Sequence, residues 1–301
     1  MTLPTFRIGK YEIAGGVLAP MAGYTDIAFR ELCKTFGAGL TVTEMVSVRG
    51  LVHGNAATER LMRLSPLETP SCIQLFGNEP DDFARAAPLV NSDIIDINMG
   101  CPMPKIVKNG DGSALMTDPK RAGDIVRALS NATDKPITVK TRLGFGMGDD
   151  GAEELIARVA EAGAAAVTLH GRYAEQRYSG EADYAKMSEL AAKASVPVVC
   201  NGDLRDITPK PPFAANMIGR YALCDPAVFS GGRAAPVDTA RKHFKILLAY
   251  FDERYAVLQM RKFAAHCFKD VSGGRRVRTE IYAANSADEV AAALDKAEKF
   301  M

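Results

Sequence analysis

Asp93-Ile-Ile-Asp-Ile-Asn-Met-Gly-Cys-Pro102 is the stretch whose reading decides the fold. An isoleucine-rich run of strand length, residues 94–97, leads at once into a cysteine, Cys101, bracketed by Gly100 and Pro102. A buried strand that delivers a polar group at a Gly/Pro-punctuated exit is the repeating unit of parallel α/β architectures. The unit recurs on both sides. Residues 15–20, 40–44 and 71–76 read as the three strands before it, and 136–140, 165–170, 196–200 and 213–218 as the four after it. Helical patterns lie between them: Thr25-Asp26 caps one through Phe29, Leu32 and Phe36, Pro80 opens another to about Val90, Asp118-Pro119 a third, and 152–162 and 184–194 two more. Eight strands separated by helical patterns predict a (β/α)8 TIM barrel. One crossover departs from the pattern, because Pro209-Lys-Pro-Pro212 excludes a helix interior between the seventh and eighth strands.

After Gly231-Gly232 the pattern turns wholly helical, with apolar positions from Phe244 to Phe268 and no clear strand. The expected organisation is therefore a catalytic barrel over residues 1–235 and a small C-terminal all-helical domain over 236–301. Composition agrees with an ordinary globular protein: 301 residues, 47% hydrophobic and 24% charged. With no signal-like start and no long apolar run, the expectation is a cytoplasmic protein without a membrane partner. Six cysteines stand singly, without metal-ligand spacing, so neither a disulfide framework nor a metal site is expected. The net charge of +1 conceals an asymmetry: residues 241–280 carry ten Lys/Arg against four Asp/Glu, leaving 27 against 32 elsewhere.

In a barrel the carboxyl ends of the strands gather on one face and build the site. Here those ends offer Pro20 and Met21, Glu44, Gln74, Asn98 with Cys101, Lys140 with Arg142, His170 with Arg172, Asn201-Gly202-Asp203, and Gly219-Arg220. So many polar strand ends exceed what a purely structural barrel needs. The last two suit a phosphate, through backbone N–H groups near glycine and an arginine, although Asn-Gly-Asp alone is an ordinary turn signal. Lys140 suits a Schiff base, a partner for a flavin ring, or an ion pair. Cys101, mostly protonated at neutral pH, suits a general acid at least as well as a nucleophile. The other cysteines, and His53, His243 and His266, read as structural.

Taken in order, Ala19-Pro-Met-Ala-Gly-Tyr-Thr-Asp26 with Phe29-Arg30, Asn98-Met-Gly-Cys-Pro102 with Lys105, Val139-Lys-Thr-Arg142, His170-Gly-Arg172, Asn201-Gly-Asp203 and Gly219-Arg220 resemble the signatures of the tRNA dihydrouridine synthases, over about residues 15–229. The helical tail, with Met260-Arg-Lys262, looks most like the bacterial B-type subgroup. The chain departs from the family pattern at Tyr221, at the seventh crossover, and at Phe263, where the subgroup commonly has His. The resemblance implies an FMN-dependent reduction of the C5–C6 bond of uridine in the tRNA D-loop, with NADPH as reductant. Hydride would pass from the flavin to C6 and a proton from Cys101 to C5. It further implies that Pro20, Met21, Gln74, Lys140 and His170 hold the flavin ring and that Asn201, Gly202, Asp203, Gly219 and Arg220 surround its phosphate. Asn98, Lys105, Arg142 and Arg172 would meet the substrate, the basic tail would grip the tRNA backbone, and the enzyme would act as a monomer.

Overall fold

The computed structural model describes residues 3–299; residues 1, 2, 300 and 301 of the two expected units lie outside that range. The chain opens with β1 (Thr5–Ile8) and β2 (Tyr11–Ala14), an antiparallel hairpin ahead of the first expected strand. Its inward residues Phe6, Ile8 and Ile13 pack with Val17, Leu40, Ile94, Val199 and Met217, so the hairpin plugs the amino-terminal end of the barrel. Alternation of Phe6 and Ile8 with polar neighbours, followed by Gly9-Lys10, is the sequence signal for it.

The parallel strands are β3 (Val17–Leu18), β4 (Leu40–Thr41), β5 (Val46–Ser47), β6 (Cys72–Phe76), β7 (Ile94–Asn98), β8 (Ile137–Arg142), β9 (Ala164–His170), β10 (Val198–Asn201) and β11 (Ala215–Ile218). Every neighbouring pair runs parallel, and β11 pairs with β3. The second barrel position is broken: β4 pairs with β3, Val42 bridges to Cys72, and β5 then pairs with the end of β6. Those two halves make eight positions in a closed ring, the barrel the pattern predicts.

The outer helices are α1 (Ile27–Thr35), α2 (Val48–Val52), α3 (Ala56–Leu61), α4 (Pro80–Ala86), α5 (Pro104–Val107), α6 (Pro119–Ala132), α7 (Gly151–Glu161), α8 (Tyr184–Lys193) and α9 (Arg220–Cys224). The seventh crossover contains no helix, as its prolines require, and Ile207 packs there with Phe229 beside Gly16. Beyond it come α10 (Pro236–Tyr250), α11 (Glu253–Cys267), α12 (Gly274–Ala283) and α13 (Ala287–Ala297). Breaks fall where capping residues stand: Asp252 accepts from the Tyr255 N–H, and Ser286 from the Glu289 N–H. These helices share one apolar cluster with α1, joining Phe29 and Leu32 to Phe244, Met260 and Phe268.

Alternation along the strands separates two environments. On β7, Ile95 and Ile97 face the helices, whereas Ile94 faces the barrel interior with the hairpin. Period two therefore places Asp96 and Asn98 inward as well, above Ile94. The same alternation turns Gln74, Thr138, Lys140, Arg142, Thr168 and His170 toward the barrel axis. The carboxyl half of the interior is polar, and that is where the site lies.

Candidate active site

Cys101 leaves the end of β7 on a loop that the protein holds from two sides. Its own N–H donates to Asn98 Oδ1 at 2.9 Å, and the Gly100 N–H donates to the same oxygen at 3.2 Å. From β8, Arg142 Nε donates to the Gly100 carbonyl at 2.7 Å. The Cys101 carbonyl accepts from the Ser113 N–H at 3.0 Å. Burial pushes the half-buried thiol above its ordinary range, against the pull of the Met103 amide, Arg142 and Lys140. At neutral pH the sulfur keeps its proton, the state a general acid requires.

Around the thiol the mouth is strongly cationic. The Lys140 ammonium has no hydrogen-bond or close ion-pair partner among the described residues, and burial with Arg142 alongside lowers it to about 8. Burial likewise lowers Arg142 to about 10. Burial, then the charges of Lys140, Arg142, Arg172 and Arg220, push His170 far below its usual range, so its imidazole is neutral. Against these stand Asp96 below the mouth, Asp203 at its rim, and Glu44, which accepts from the Gly23 N–H. A surplus of positive charge in a concave, partly buried site fits an anionic ring edge and a phosphate, the two acidic parts of a flavin mononucleotide.

Asp203 shows how the rim is built. Arg172 Nη2 donates to its Oδ2 at 2.5 Å and Arg220 Nη2 to its Oδ1 at 2.9 Å. Its backbone sits at φ 50°, a left-handed conformation that a non-glycine residue adopts only when its surroundings hold it. Gly202, at φ 125°, lies so close to His170 that a Cβ would stand 3.0 Å from the ring. Asn201 Nδ2 donates to the Met217 carbonyl at 2.8 Å, tying β10 to β11 at the same level. Gly219 lies beside Ala19 and Met21, which brings the first and last strand ends together. The Met21 N–H donates to Thr25 Oγ1 at 2.9 Å, and Pro20 is half-buried beside it.

The structure thus gathers the named strand ends on one face, with differences in what they touch. Arg172 is buried and engages the Ser179 and Gly180 carbonyls, Asp203 and His170 Nε2. Arg142 likewise donates to the Tyr173 and Arg177 carbonyls. Most of their N–H groups therefore shape the loop after β9. Gln74 is buried and bonded to Asp96 and Asn98. Lys105 is exposed on α5, outside this network.

Two residues at the site were not singled out in the sequence. Tyr178 is exposed at the rim, with the Arg142 and Arg220 guanidinium groups 5.7 and 5.3 Å from its ring centre. No periodic signal marks it, since it lies in a loop. Asp96 does carry a signal: an acidic residue at an inward position of an isoleucine strand must have partners.

A family model described as dihydrouridine synthase matches residues 17–301. A probable tRNA-dihydrouridine synthase of Rhizobium leguminosarum bv. phaseoli is 38% identical over 262 residues, covering 82% of each chain. One from Mycobacterium tuberculosis is 36% identical, covering 97% of this chain and 85% of its own length. Among solved structures, morphinone reductase in complex with tetrahydroNAD superposes with a TM-score of 0.53 at 10% identity, over 78% of this chain and 92% of that one. An old yellow enzyme homologue from Zymomonas mobilis gives 0.54 at 13% identity, over 78% and 94%. At those identities the likeness speaks for the barrel alone.

Proposed function

The chain belongs to the dihydrouridine synthase family, an oxidoreductase family, and from that premise we propose that it reduces the C5–C6 double bond of D-loop uridines in tRNA with FMN and NADPH. The observation that carries the reading is Cys101: a protonated, half-buried thiol anchored by Asn98 and Arg142 at the edge of a cationic mouth. FMN, when bound and reduced by NADPH, supplies the hydride for C6. Lys140, with its unpartnered ammonium, would hold the ring by its anionic edge, together with Pro20, Met21, Gln74 and neutral His170. Asn201, Gly202, Asp203, Gly219 and Arg220 would hold its phosphate.

Cys101 Sγ–H gives its proton to C5 as C6 gains hydride, and solvent restores the thiol. Asn98 and Arg142 hold the sulfur in place while this happens, and Arg172 keeps the loop bearing Tyr178 against the mouth. A base must leave its stack to reach this depth, which suits a tRNA loop better than a duplex. Outside the mouth, Lys105 and the basic surface of α11 and α12 face the tRNA backbone. The division into a catalytic unit over 1–235 and a tRNA-gripping unit over 236–301 belongs to the same proposal. Among the described residues no helix is long and apolar enough to cross a membrane.

The test is to purify the protein, record its visible absorbance, and map dihydrouridine in an unmodified tRNA transcript after incubation with NADPH. A yellow protein that installs dihydrouridine in the D-loop supports the reading. A colourless protein, or one that reduces free pyrimidines and ignores tRNA, overturns it.

A further inference from the structure

Asp96 lies below Asn98 on the inner face of β7 and is buried. Its Oδ1 accepts from Thr138 Oγ1 at 2.6 Å, and its Oδ2 from Gln74 Nε2 at 2.7 Å. Gln74 Oε1 in turn accepts from Asn98 Nδ2 at 2.9 Å. Asn98 Oδ1 then accepts from the Gly100 and Cys101 N–H groups. An unbroken line of bonds runs from a carboxylate in the barrel interior to the backbone of the cysteine.

The two ends of a side-chain amide have nearly the same shape and opposite polarity. An ionised carboxylate can only accept, so it selects which end of Gln74 points down. That choice turns the Gln74 oxygen toward Asn98, and so turns the Asn98 oxygen toward the loop. With either amide reversed, Asn98 would set its NH2 against two N–H donors and the loop would lose both anchors. We infer that Asp96 is a positioning residue for Cys101, its ionised carboxylate fixing, through Gln74 and Asn98, the amide orientation that holds the Gly100-Cys101 backbone. The inference rests on the proton-donor role proposed for Cys101.

Two other ionisable groups face Asp96: Lys140 from β8, which favours the carboxylate, and the buried Cys72 from β6. Burial raises the Asp96 carboxyl to about 6, opposed by the bonds from Thr138 and Gln74 and by Lys140. A protonated Asp96 can also donate, which releases the constraint on Gln74 below that pH. The effect on stability has the opposite sign. Because the folded carboxyl titrates above its ordinary 3.8, folding favours the protonated form and this group stabilises the fold as pH falls through 6. Loss of Cys101 function in that window would therefore not come from acid destabilisation by this group.

The test is a double-mutant cycle on the flavin-loaded enzyme, following NADPH oxidation by the flavin separately from reduction of an unmodified tRNA transcript. Asp96→Leu is expected to slow tRNA reduction at least about tenfold, within the ~10²-fold that a small misplacement of a reacting group costs. Both variants are compared at equal bound flavin, and in a Cys101→Ala background Asp96→Leu should add no further loss of tRNA reduction. The same fold-loss in both backgrounds would overturn the inference. Hydrogen exchange at the Gly100 and Cys101 amides reads the anchoring without turnover, and it is expected to quicken in Asp96→Leu. Should that variant not fold, Asp96→Asn keeps the shape without the charge. It is expected to quicken the same two amides and to abolish the acid limb near pH 6; unchanged exchange in the folded variant would overturn the inference. If Cys101→Ala alone leaves tRNA reduction unchanged, the proton-donor reading fails, and the exchange rates still decide whether Asp96 anchors the loop.

Discussion

At the scale of single residues, the proposed function makes Lys140 a pH-dependent part of the flavin grip. Its ammonium titrates near 8, so raising the pH through that value removes a cation from the site. Flavin affinity, measured by equilibrium titration between pH 7 and 9, is expected to weaken over that window, and Lys140→Met to flatten the dependence. The fold responds with the opposite sign: a lysine lowered from 10.5 opposes folding while charged, and that opposition fades as pH rises through 8. Weaker flavin binding at high pH would thus accompany no loss of stability from this group. Much of this site was legible because polar side chains at strand ends announce themselves against apolar runs. Asp96 was visible in the opening stretch, yet its role was not. The bond to Gln74 joins residues 22 positions apart, and only the register of β6 against β7 brings them together.

At the scale of elements, two contacts between α1 and its neighbours test how the parts are joined. Arg30 on α1 is buried and donates through Nε to Glu68 Oε1 at 2.7 Å, while Thr41 and the Ser65 N–H also donate to Glu68. Breaking this pair on one side, as in Glu68→Leu, leaves a buried charge and is expected to cost about 3–5 kcal/mol in denaturant unfolding. Arg30→Met with Glu68→Leu should recover most of it. His243 on α10 is buried between Phe29 and Phe263, ring centres 5.6 and 4.5 Å away, and among the described residues neither ring nitrogen has a hydrogen-bond partner. Burial lowers its imidazole to about 3, so the unfolded chain takes up this proton first and stability is lost as pH falls from 6.5 toward 3. His243→Leu is expected to be neutral or stabilising by about 1 kcal/mol at pH 7 and to reduce the acid dependence of the melting temperature. The structural reading of His243 agrees with this packing. The hairpin and the broken second strand were less legible. β4 and β5 are two residues each, too short for any periodic signal, and their pairing depends on neighbours distant in sequence.

At the scale of the whole molecule, the asymmetry of charge agrees with the proposed tRNA partner. Lys269 and Arg275 are exposed near the start of α12, whereas Arg241 is engaged by Asp295 and Glu298, and Arg278 by the Phe268 carbonyl. The composition showed the surplus, but only the structure tells the free cations from the engaged ones. Lys269→Glu with Arg275→Glu is expected to weaken tRNA binding across sequences and to lower its salt slope by roughly 1 per lost phosphate contact, leaving flavin reduction by NADPH unchanged. Shared packing of Phe29 and Leu32 with Phe244 and Met260 joins the helices to the barrel in one apolar core. The central claim is that Cys101 protonates C5 of a tRNA uridine, and its most direct measurement is dihydrouridine formation in an unmodified tRNA transcript by wild-type and Cys101→Ala protein carrying equal bound flavin. The account predicts D-loop dihydrouridine from the wild type and a rate about 10²–10⁴-fold lower from the variant. Equal rates, or no dihydrouridine from the wild type, would contradict it.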